Sequence, residues 1–176
     1  TYKRLRLSHK NYLIKEDYLR LIDILFALFH PFRLIYLKKY SFIYNKTDYS
    51  NLIYAELFSL KGYGMAIESL LYYKFVYRLK KNKIKLKFFI NWWENQPLDK
   101  AINFALNKYY NKTKIIGYLG YVPRDLELNI YPFKNEINSN VVPKNIGVIG
   151  NGYIKKIKKY STELSVFTLP ALRFEH

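Results

Sequence analysis

Glu94, Asn95 and Gln96 follow two adjacent tryptophans, Trp92 and Trp93, and precede Pro97. Aromatic faces, side-chain amides and a carboxylate in one short stretch are the groups a sugar site uses. Rings lie against C–H faces, and polar groups meet hydroxyls. The competing reading of the same stretch is a capped connection whose polar groups meet only water.

The elements that must hold these residues can be read from the flanks. Leu86, Phe88, Phe89 and Ile90 make a short apolar run that reads as a buried strand. Leu98, Ala101, Ile102, Ala105, Leu106 and Tyr109 recur at helical spacing. Pro97 suits the first helical position, where its missing N–H costs nothing. Gln96 then falls at the cap and Asp99 at the third residue, where a carboxylate meets free N–H groups. The 94–96 triplet therefore occupies a turn between a strand's C-terminal end and a helix's N-terminal end, the side on which open α/β sheets bind ligands. Adjacent strand residues face opposite sides, so one tryptophan packs inward while the other lines a cleft.

A second apolar run at 114–119 completes a strand–helix–strand unit, whose crossover should be right-handed. A long irregular stretch over 120–144 should overhang the same edge as Glu94. A third strand is expected over 145–150, followed by Gly150-Asn151-Gly152 and a short helix over 153–160, with a fourth strand over 164–169. Glycines at a strand-to-helix turn let backbone approach a ligand, and a helix N-terminus favours anions. Close packing without a ligand is the simpler account of those glycines.

Before residue 85 the pattern is helical. The spacing predicts a helix over 16–29, ended or kinked at His30-Pro31. A second is expected over 49–60, broken by Lys61-Gly62-Tyr63-Gly64, and a third over 65–80. Residues 21–37 are apolar, yet Asp23, His30, Pro31 and Arg33 argue against a simple membrane span. A core helix is the first reading there, and an interfacial helix beside Arg33, Lys38 and Lys39 the second. The expected fold class is α/β: a Rossmann-like layered domain with a parallel sheet at 85–176 and a mainly helical portion at 1–84.

The chain has 176 residues, half of them hydrophobic, which suffices for a real core but not for two full Rossmann domains. The absence of cysteine excludes disulfides and thiol chemistry. His9, His30 and His176 lack metal-ligand spacing, so no metal is expected. The formal net charge of +17 attracts phosphates in nucleic acid, anionic lipid or sugar nucleotides. Lysine outweighs arginine, the better bidentate phosphate reader, and no nucleic-acid motif is present, so a specific nucleic-acid role is discounted.

Trp93-Glu94-Asn95-Gln96, then Asp99-Lys100-Ala101, then Lys114-Ile115-Ile116-Gly117-Tyr118 and finally Pro170-Ala171-Leu172-Arg173-Phe174 resemble a family of bacterial surface-carbohydrate biosynthesis proteins. These are glycosyltransferase-like proteins of the two-Rossmann GT-B type, including some that transfer Kdo or similar acidic sugars. The resemblance runs from about residue 52 onward and departs at Leu119, where the family pattern has a polar glutamine. It implies the N-terminal, acceptor-side part of a sugar-nucleotide-dependent transferase in capsule or lipopolysaccharide synthesis, with a second domain beyond this chain. Glu94 is then expected to contact the acceptor and to act as the catalytic base. Trp93, Asn95, Gln96, Tyr118, Gly120, Gly150, Asn151, Gly152 and Arg173 are expected to bind substrate. The implied partners are a glycan or lipid-linked acceptor, a sugar nucleotide as donor rather than a bound cofactor, and an anionic membrane met peripherally at the inner face of the plasma membrane. The rivals are a non-catalytic scaffold of a polysaccharide assembly and a basic nucleic-acid-binding module.

Overall fold

The computed structural model describes residues 7, 12–122, 124 and 127–171. The chain divides into two compact units, one ending at Asn82 and the other beginning at Lys83.

The first unit is helical: α1 (Lys15–Tyr18), α2 (Leu21–Leu28), α3 (His30–Leu37), α4 (Ser50–Leu57) and α5 (Leu60–Lys81). The other four pack on α5, the longest at 22 residues. The helix expected over 16–29 is interrupted, because Leu19 and Arg20 are extended. Asp23 starts a fresh helix by accepting the Arg20 N–H at 3.0 Å. Pro31 sits in the opening turn of α3, so it begins a helix as well as ending one. The break expected at 61–64 lies instead at Phe58–Ser59. Ser59 Oγ accepts the Gly62 N–H at 2.9 Å and caps α5, which runs on through both glycines. A side chain at Gly62 would stand 2.3 Å from the Glu56 carbonyl, so the chain can turn there only on a glycine. The polar stretch before α4 forms a small hairpin of β1 (Ile43–Tyr44) and β2 (Thr47–Asp48), turned by Asn45 and Lys46 at φ 48° and 66°.

One ion pair anchors this unit. Arg78 of α5 donates from Nε and a terminal nitrogen to the two Asp23 oxygens at 2.7 and 3.0 Å, and both residues are buried.

The second unit is a Rossmann-like α/β layer. Its strands are β3 (Phe88–Trp92), β4 (Lys114–Leu119), β5 (Asn145–Val148) and β6 (Ser165–Thr168), all paired parallel in the order β3-β4-β5-β6. The connecting helices are α6 (Pro97–Tyr109), α7 (Lys134–Asn138) and α8 (Asn151–Tyr160). The core contains Trp93, Leu119, Ile146, Val148 and Val166 from one face of the sheet, with Ile157 of α8 packed among them. Strand order that rises steadily, with right-handed crossovers, puts every connecting helix on that same face. The described strands therefore contain no reversal of order and no topological switch point. What remains is the C-terminal edge of the sheet. The stretch expected to be irregular over 120–144 carries a 3₁₀ turn (Leu128–Ile130) and α7, and it buries Ile130, Tyr131 and Val142 in the core.

Candidate functional site at the sheet's C-terminal edge

β3 runs two residues beyond the apolar stretch that marks it, so it ends on Trp92. The Trp93 N–H still bonds the Tyr118 carbonyl at 3.0 Å, which keeps the alternation of faces intact. Trp93 is fully buried in the core, so this expected binding residue does not line the surface. Trp92 takes that position, 42 % exposed on the same sheet face as Phe88 and Ile90.

Trp92 stands in an aromatic cluster. Its ring stacks on Tyr121 with centroids 6.1 Å apart and meets Tyr118 edge-on at 5.8 Å. Tyr118 is buried and donates its hydroxyl to the Pro170 carbonyl at 2.8 Å, tying the exit of β6 to the cluster. Gly120 has no room for a side chain: a Cβ would lie 2.4 Å from the Tyr118 ring and 2.5 Å from the Trp92 ring. Tyr118 and Gly120 thus build the surface on which Trp92 rests. The sequence carries no local signal for Tyr121 as a binding residue, and for Trp92 the signal is the period-two alternation with Trp93.

Glu94 leaves the strand and turns back. Its Oε1 accepts the Trp92 indole N–H at 2.7 Å, which fixes ring and carboxylate together. Among the described residues no donor reaches its Oε2. The helix N-terminus does not engage Glu94. Asp99 does that work, accepting the N–H groups of Glu94 at 3.0 Å and Gln96 at 3.1 Å, and the Asn91 amide at 3.3 Å. Burial pushes the Asp99 carboxyl up, against the pull of those donors. Glu94 is therefore left facing the surface.

Asn95 is buried, in the left-handed region at φ 56°, a conformation asparagine tolerates. It donates to the Asn129 carbonyl at 2.9 Å, while Asn129 donates to the Glu94 carbonyl at 2.8 Å. This reciprocal pair pins the 3₁₀ segment over the turn, so Asn95 holds the site rather than facing a ligand. Gln96 is exposed at the start of α6. Lys100 pairs with Glu136 at 2.6 Å. Burial pushes the Glu136 carboxyl up, but Lys100, the Phe133 N–H and Asn95 outweigh it and hold it below the usual range. Burial, with the carboxylates of Glu127, Glu94 and Asp99, pushes the Tyr121 phenol up to about 12, so it remains a neutral hydroxyl.

Gly150, Asn151 and Gly152 lie at the start of α8, at the end of β5. That is two strands from β3, roughly 10 Å at the usual strand spacing. Gly150 is extended, and a Cβ at Gly152 would meet nothing within 4 Å. Neither glycine is required by backbone conformation. Arg173 lies outside the described residues. Two of the larger cavities also lie elsewhere, one lined by Tyr12, Glu68 and Tyr72 and one by Phe104, Asn107 and Asn140. The edge is thus a part-exposed aromatic platform with the Glu94 carboxylate fixed beside it; Asp99 is buried beneath the turn and Glu136 is paired with Lys100.

Comparison with protein-family models, with curated proteins and with solved structures finds no match for this chain.

Proposed function

We propose that the chain is the acceptor-binding part of a sugar-nucleotide-dependent glycosyltransferase of bacterial surface-polysaccharide synthesis, with Trp92 as the sugar platform and Glu94 as the base. The observation that carries the reading is the exposed Trp92 indole, locked to the Glu94 carboxylate and stacked on Tyr121 at the C-terminal edge of a parallel sheet. A sugar's C–H face lies against the open part of the indole, and its hydroxyls reach Glu94 and Gln96. The platform and the Glu94 carboxylate suit a hydroxyl-rich acceptor, and the donor is left to groups outside this edge.

In the transfer step Glu94 takes the proton of the attacking hydroxyl. The acceptor oxygen bonds to the donor's anomeric carbon, the anomeric C–O bond to the donor's phosphate breaks, and the nucleotide leaves. No bound cofactor enters. The acceptor is a glycan or lipid-linked glycan, and the work is done in the cytoplasm, at the inner face of the plasma membrane.

Glu94→Gln keeps the shape and the indole hydrogen bond while removing the basic oxygen. In the transferase, it should bind acceptor almost normally and lose on the order of 10²–10⁴-fold in turnover. Turnover near normal would rule out the base role, and a large fall in melting temperature would make Glu94 a structural carboxylate.

A further inference from the structure

The helix α2 is built inside out. Its charged residue, Asp23, points inward to Arg78, and only Asp23 and Ala27 are buried. Leu21, Ile24, Leu25 and Leu28 recur at i, i+3, i+4 and i+7, and all four are exposed. The next helix repeats the arrangement: α3 buries Leu34 and exposes Phe32, Ile35 and Tyr36. The Phe29 and Phe32 rings, with centroids 5.5 Å apart, join the two stripes into one apolar surface. Contiguous exposed apolar side chains are a feature of interaction surfaces.

The charges around it choose the partner. Between residues 21 and 40 the sole acid is Asp23, already neutralised by Arg78. The cations lie at the rim. Lys39 Nζ sits 5.5 Å over the Tyr36 ring and Lys38 Nζ 5.3 Å over the Phe58 ring, each with its stem along apolar surface. Arg33 lies over the Phe26 ring and donates to the Phe26 carbonyl at 2.7 Å, which stiffens the elbow between the helices. Apolar side chains outward with lysines at the margin are the pattern of a helix lying in a lipid–water interface. No helix among the described residues is long and apolar enough to cross a membrane.

We infer that α2 and α3 form a docking face for an anionic bilayer, with Leu25, Leu28, Phe29, Phe32 and Ile35 entering the acyl boundary and Lys38 and Lys39 meeting the headgroups. This inference rests on the helical unit alone and stands or falls apart from the sugar-binding reading.

Vesicle flotation with the full chain tests it, using phosphatidylglycerol-containing vesicles against pure phosphatidylcholine. The chain should float with the anionic vesicles and much less with the neutral ones. Lys38→Glu with Lys39→Glu should weaken binding by at least about tenfold. Phe32→Ser with Ile35→Ser should abolish it without lowering the melting temperature of the lipid-free chain. Three results would overturn the proposal. One is retention unchanged by both pairs of substitutions, or no retention at all. Another is a lower melting temperature of the lipid-free serine variant, which would mean the face is covered within the chain. The third is a lipid-independent dimer that the serine pair dissociates, which would assign the face to a second copy.

Discussion

Asp23 and Asp99 are both buried carboxylates, and their environments move them in opposite directions. At Asp23 burial raises the carboxyl, but the bidentate Arg78, the Arg20 N–H and the nearby Lys74 outweigh it, so its folded pKa lies below the ordinary value. A lowered carboxylate stabilises the fold above its unfolded pKa, and that stability is lost as pH falls through the folded value. The helical unit should therefore weaken below about pH 4. Asp23→Ala, which strands Arg78 without a partner, should cost about 3–5 kcal/mol at neutral pH. Thermal melts from pH 7 downward check both: the gap between the parent chain and the variant should narrow as the pH drops. At Asp99 burial dominates and the folded pKa is raised. Its linkage has the other sign, with stability present below the unfolded pKa and lost as pH rises through the folded one. Asp99 nonetheless caps α6, so Asp99→Ala should lower stability by about 0.5–2 kcal/mol, read from denaturant midpoints at pH 7. It should also loosen the turn that carries Glu94.

At the scale of elements, α6 was plainly legible. Pro97, Gln96 and Asp99 are strong local start signals, and the apolar spacing needs no tertiary knowledge. The four strands were legible from their apolar runs. The end of β3 was not, because Asn91 and the two tryptophans are poor guides to where a ladder stops. Continued pairing carries the alternation of faces through both tryptophans, so Trp92 shares the exposed face of Phe88 and Ile90 and Trp93 belongs to the core. The break before α5 lies at Phe58–Ser59 rather than at the glycines, because glycines mark turns by propensity alone whereas Ser59 makes an actual cap. A glycine inside a long packed helix costs only about 1 kcal/mol, which tertiary contacts outweigh. Strand order was beyond local sequence altogether, since it depends on which edges meet. Gly120 offers the test at this scale. Gly120→Ala pushes a methyl group into the Tyr118 and Trp92 rings. It should cost about 1–3 kcal/mol and displace the indole, seen as a changed Trp92 signal in aromatic NMR while the Trp93 signal stays put.

For the whole molecule, the formal net charge is +17. An excess of lysine spread over the surface gives weak, salt-sensitive attraction to any polyanion. Duplex DNA should therefore bind feebly, without sequence preference, and be released by moderate salt. Filter binding at two salt concentrations checks this, and sequence-specific binding that survives high salt would favour the nucleic-acid rival. The central claim, that the aromatic edge beside Glu94 takes a sugar, has a more direct test. The chain has two tryptophans, hence two indole N–H resonances. In a titration with surface-polysaccharide oligosaccharides, the Trp92 indole resonance should shift saturably, the buried Trp93 resonance should hold, and Trp92→Ala should abolish binding. A saturable glycan interaction that leaves the Trp92 resonance unmoved, or no interaction with any such glycan, would contradict the account.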